Sequence, residues 1–175
     1  MEGARPLDFF EFVALSVEGM AKAVFTQPDD DWVPMLFFLG TKDGEEFMSM
    51  APLDHFMTDD KSKDMLAYGV LPRLLKEFQV KVAVLLINGW TASDPPGGYL
   101  NHGVGEWIRP SQRPDRKEML LLSEYTREGV MRQASALIVR HESAPPTLEP
   151  WKDIDAKSMS GRFVEPIVKA MREMG

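Results

Sequence analysis

Val80-Lys81-Val82-Ala83-Val84-Leu85-Leu86-Ile87 is the stretch on which the fold turns. It is short and nearly continuous in aliphatic residues, as a strand buried on both faces must be. Such a strand belongs in the middle of a sheet. Its apolar run is far below the roughly 20 residues that a membrane-spanning helix needs.

Upstream, Leu66, Val70, Leu74, Leu75 and Phe78 form the buried face of a helix. Thr58 or Asp59 caps it, and Asp59 and Asp60 suit the positive end of its dipole. Pro72 falls inside the pattern and lacks an N–H, so a kink or two shorter helices are expected. Earlier still, Trp32 to Leu39 reads as a buried strand and Phe47 to Met50 as its return. Asp43-Gly44 joins them, because both residue types accept the positive φ of a tight hairpin. Gln27-Pro28-Asp29-Asp30-Asp31 separates this hairpin from a first helix over residues 6–25. There Leu7, Phe10, Ala14, Val17, Ala21 and Val24 make one stripe at three- and four-residue steps. Pro6 suits its first turn. Phe9, Phe12 and Leu15 widen the stripe, so the helix is expected to pack on two sides.

Downstream, residues 92–105 form a long irregular segment around Pro95-Pro96-Gly97-Gly98. Long loops in a small domain are connecting, mobile or functional. A turn with Arg109, Arg113 and Arg116 follows. Glu118 to Tyr125 and Val130 to Arg140 then pair across Thr126-Arg127-Glu128-Gly129. Residues 142–160, with Pro145, Pro146, Pro150 and Trp151, read as a second loop. Phe163, Val164, Ile167, Val168 and Met171 mark a terminal helix with Pro166 in or near its start.

The order is therefore α-β-β-α-β-β-β-α. Two hairpins separated by a helix imply an α+β fold. The expected form is a mostly antiparallel sheet of about five strands with helices packed on one face. At 175 residues, one domain spanning 1–175 is expected.

Composition narrows the function. The chain has no cysteine, which excludes disulfides, thiolate metal sites and cysteine nucleophiles, and fits a cytoplasmic, reducing setting. The N-terminal residues lack the layout of a signal peptide, so no membrane association is expected. A net charge of −7 argues against general nucleic-acid binding.

Chemical signatures are sparse. Gly97-Gly98 and Gly103-Val104-Gly105 follow a strand but lack the lysine of a phosphate loop. His55, His102 and His141 have no spacing that brings two imidazoles to one ion, and Asp29 to Asp31 lack the alternation of a calcium loop. No metal and no cofactor are expected. There is no GxSxG motif, and Ser123 and Ser135 follow strand alternation. Glu118, Glu124 and Glu142 lie on or beside neighbouring strands, where two carboxylates about 5–9.5 Å apart could act on a glycosidic bond, and surface charge is the simpler expectation.

What remains is a cluster around the central loop. Arg109, Arg113 and Arg116 could hold an anion or form local ion pairs. Trp90, Tyr99 and Trp107 bracket the loop as an aromatic wall, and His102 lies within it. These seven residues are the candidate binding set. Twelve methionines, among them Met48, Met50, Met57 and Met65, either replace leucine in the core or form an adaptable binding surface. Core replacement is the simpler expectation.

The stretch from Val82 to Arg140 resembles a group of uncharacterised small proteins from phage and bacterial genomes. Ile87-Asn88-Gly89-Trp90 matches a strand ending near a tryptophan, and Pro114-Asp115-Arg116-Lys117-Glu118 matches a turn leading into an apolar strand. Glu128-Gly129 matches the closing hairpin turn, whereas Asn88-Gly89 departs from a frequent Ser-Glu pair. The resemblance implies a fold plan and a phage or mobile-element origin, with no activity and no functional residues.

Two functional expectations follow. One is a non-enzymatic binding or accessory protein, with a protein partner or self-association. The other is a small enzyme acting on an anionic substrate, with its site between loop 92–105 and turn 109–116.

Overall fold

The computed structural model describes residues 5–91, 114–155 and 162–174. Around Val82–Thr91 (β3) the chain builds one antiparallel sheet of seven strands that curls into a half-barrel. Met35–Lys42 (β1) and Glu45–Pro52 (β2) form the first hairpin. Its turn is Asp43-Gly44, with φ of 52° and 83°, the left-handed pair such a turn requires. Lys117–Thr126 (β4) and Gly129–Val139 (β5) form the second hairpin. Sheet order is β2-β1-β3-β4-β5, then Thr147–Leu148 (β6), while Lys152–Ile154 (β7) also pairs with β5.

The expected count of about five strands is corrected to seven among the described residues. Residues 142–160 were expected as loop, yet they contribute β6 and β7. Segments of two and three residues are too short for alternation to register. Tertiary contact holds them: the indole N–H of Trp151 donates to the Ala14 carbonyl at 3.2 Å.

Helices on one face is the second correction, because both faces are covered. Phe9–Val24 (α1) packs Phe10, Val13, Val17 and Ala21 on one face, against Phe37, Val84, Leu86, Leu120 and Leu122. The other face carries Leu36, Phe38, Ala83, Leu85 and Tyr125. Over it lie Asp60–Met65 (α2), a π-helical turn Leu66–Val70, Leu71–Glu77 (α3) and Val164–Glu173 (α4). Successive strand residues point to opposite faces, so β1 and β3 feed two cores at once.

Local chemistry sets the helix ends. Asp8 caps α1 by accepting from the Glu11 N–H at 2.9 Å, while the Glu11 carboxylate accepts from the Asp8 N–H at 3.1 Å. This capping box starts the helix after Pro6 rather than at it. Asp59 caps α2. Pro72 sits in the first turn of α3, and the π-helical turn before it absorbs the backbone change. Across the β4–β5 pairing, buried Gln133 donates to Ser123 at 2.9 Å, and burial pushes the Tyr125 phenol up to about 12.

Gly19 stands in mid-α1, and a Cβ built there meets nothing within 4 Å. Glycine gives up more backbone freedom than alanine when a helix forms. Gly19→Ala is therefore expected to stabilise the chain by about 0.5–1 kcal/mol, read as a rise in thermal midpoint of a few degrees. An unchanged or lower midpoint would contradict this account of α1.

Candidate functional site

Pairing of β3 with β4 sets Trp90 opposite Glu118 and Thr91 opposite Lys117. Arg116, one residue before β4, thus reaches the Trp90 face, its guanidinium carbon 4.8 Å from the ring centroid. A cation over an exposed indole contributes about 0.5–1 kcal/mol. Asp115 and Arg116 engage further groups as well. Tyr99, His102, Trp107, Arg109 and Arg113 lie outside the described residues. Of the seven candidates, the structure brings together Trp90 and Arg116.

The carboxylates singled out by sequence take other work. Glu118 and Glu124 are six residues apart on β4, roughly 20 Å at strand rise, too far to act on one glycosidic bond. Glu118 accepts two hydrogen bonds from Arg140, each 2.8 Å, and the same guanidinium reaches Asp31 and the Asp30 carbonyl. That fork ties the 27–31 turn to the second hairpin. Asp30 itself accepts from the Thr26 and Gln27 N–H groups at 2.7 Å, and these bonds hold its carboxyl below its ordinary value.

At the start of α1, Arg132 lies 4.7 Å from the Phe10 centroid and faces Asp8, Glu11 and Asp153 at 3.6–3.8 Å. Glu124 is half-buried nearby. Burial pushes its carboxyl up and Asp8 adds to that, while Arg132 opposes. The group serves to cap and anchor α1. His55 is exposed beside Asp54, and His141 bonds Thr147 at 3.0 Å.

Exposed apolar side chains are what sequence reasoning misplaced. Met48, Met50 and Met65 are 53%, 46% and 54% exposed, so leucine-like core replacement is corrected for these three. Met50 pairs with Phe37 and Met48 with Leu39, which puts both on the sheet face that α1 covers elsewhere. Strand β2 is at the sheet's edge, where α1 no longer shields that face. On α1 itself, Leu15 is 52% and Phe12 41% exposed, and Leu7 before the helix is 55% exposed. The expected packing of α1 on two sides is corrected: Phe9 packs against the core, while Phe12 and Leu15 stay exposed among the described residues.

Compared with known proteins, the chain matches no family model, no curated protein and no solved structure. No helix among the described residues is long and apolar enough to cross a membrane.

Proposed function

We propose that this chain is a non-enzymatic binding or accessory protein that acts through protein–protein contacts in the cytoplasm. The outward side of α1 carries the reading. A helix lying on a sheet ordinarily turns polar residues to water. Here Phe12 and Leu15, three residues apart, share one outward side, and Gly19 and Ala23 continue their row at four-residue steps. Glu18 and Lys22, three and seven residues after Leu15, put charge on the same outward side one and two turns further along. Apolar surface of this kind contributes to stability once another surface excludes water from it. Met48 and Met50 support the same reading, since methionine adapts its shape to a partner.

The test pairs Phe12→Glu with Leu15→Glu in one variant. Both side chains are exposed, so the fold should change in stability by about 0.5 kcal/mol or less. Native mass measurement and retention of partners by the tagged protein should show an association in the natural chain that the variant loses. Finding neither a partner nor self-association with the natural chain would dispose of the proposal.

A further inference from the structure

A groove of about 700 Å³ opens at the end of the sheet where β3 begins and β4 turns into β5. Met131, Met171 and Met174 give it an apolar floor, with Gln79, Lys81, Arg127 and Glu128 on its walls. An irregularity of the sheet lies beside the end of α3 there. The β4–β5 pairing passes from Tyr125↔Val130 to Glu124↔Arg132, leaving Met131 without a partner strand residue. Such a bulge re-aims the side chain it carries, and Met131 is left 50% exposed. Gln79, just beyond α3, holds the left-handed φ of 44° that closes this helix, its N–H bonded to the Lys76 carbonyl and the Val80 N–H to the Leu75 carbonyl. Bulges are over-represented at sheet edges, at barrel rims and next to active sites.

Charge says what the groove takes. The chain as a whole is at −7, yet this rim carries two cations, Lys81 and Arg127, against one acid, Glu128. Arg172 reaches the adjoining hairpin tip, its Nη2 atom 3.9 Å from where a Cβ on Gly129 would lie. Lys81 pairs with Glu46 and Arg127 with Glu128, in both cases among exposed side chains. Exposed pairs contribute about 0–1 kcal/mol, so an incoming carboxylate can replace either partner at little cost. The methionine floor suits a long apolar side chain. The groove is open along one side and larger than a single alkyl chain fills, which favours a polypeptide segment over a small amphiphile.

We propose that this groove binds a segment of a partner protein in which a long apolar side chain is flanked by aspartate or glutamate. The proposal does not depend on the outward side of α1. Its probe is a synthetic amphipathic peptide with leucines at three- and four-residue steps and glutamates between them, alongside a twin with lysine for every glutamate. Methionine methyl signals are followed by NMR in the natural chain. The glutamate peptide should shift Met131 and Met174 selectively, the lysine twin should not, and Lys81→Glu with Arg127→Glu should weaken binding at least tenfold. Failure of the glutamate peptide to shift these methyls would overturn the proposal, as would an equal response to the twin. Decanoate displacing the glutamate peptide would overturn the choice of a polypeptide. If the double variant does not fold, the comparison of the two peptides on the natural chain decides alone.

Discussion

Leu85→Ala and Leu86→Ala are each expected to cost about 2.5–5 kcal/mol, the range for emptying a fully packed leucine site. The two are neighbours on β3 and point to opposite faces. Leu85 packs with Leu36, Leu71 and Leu75 under α3, and Leu86 with Phe10, Val13 and Val17 under α1. Both are essentially without solvent exposure. Each truncation removes three carbons and leaves a cavity that the surrounding strands and helix can only partly close. Urea unfolding at equilibrium checks this through the shift in midpoint at constant slope. The pair matters more than either value. A sheet covered on one face would lose stability from one substitution and almost none from the other. Comparable losses are the signature of two helical layers, and a small effect at either residue would refute that architecture.

That signature was already legible in Val80 to Ile87. An aliphatic run with no polar alternation has no face to give to water, so helices on both faces follow from it. The one-face arrangement came from hairpin order, which fixes pairing but says nothing about which side each helix takes. The Asp43-Gly44 turn and the Asp59 cap were legible because single residues determine their geometry. The strands β6 and β7 were not, since their stability comes from β5 and from Trp151 on Ala14.

Site residues were harder to read for a different reason. Apolar periodicity marks which residues share a side of an element but not whether that side finds a partner. Phe12 and Leu15 widen the α1 stripe in sequence, and only coordinates reveal that they face outward. Met48 and Met50 alternate as strand residues facing a core would, but β2 extends past the helix that makes the core. The groove at the sheet's end leaves a still fainter trace. A bulge at Met131 and a left-handed Gln79 involve residues that carry no turn preference, so nothing in their identity announces them.

Gly40→Ala is the other large effect, expected at about 2–3 kcal/mol of destabilisation. A Cβ at Gly40 would stand 2.6 Å from the Phe78 carbonyl oxygen, and 3.3 Å from atoms of the Phe47 and Phe78 side chains. Flexible side chains give way cheaply, but this carbonyl is backbone and already engaged. It accepts the Thr41 N–H at 2.7 Å, while the Lys81 N–H donates to the Leu39 carbonyl at 2.9 Å. The 78–81 segment is thus bonded to β1 on both sides of Gly40, and moving it away to admit a methyl group breaks bonds that fix where β3 begins. The rings of Phe38, Phe47 and Phe78, with centroids 5.5–6.0 Å apart, close the remaining space. Gly19 is the contrasting case, since open surroundings there make alanine stabilising. Measured together by thermal unfolding, the two glycine variants should move in opposite directions. A Gly40→Ala chain as stable as the natural one would mean that β1 and the α3–β3 connection do not approach this closely.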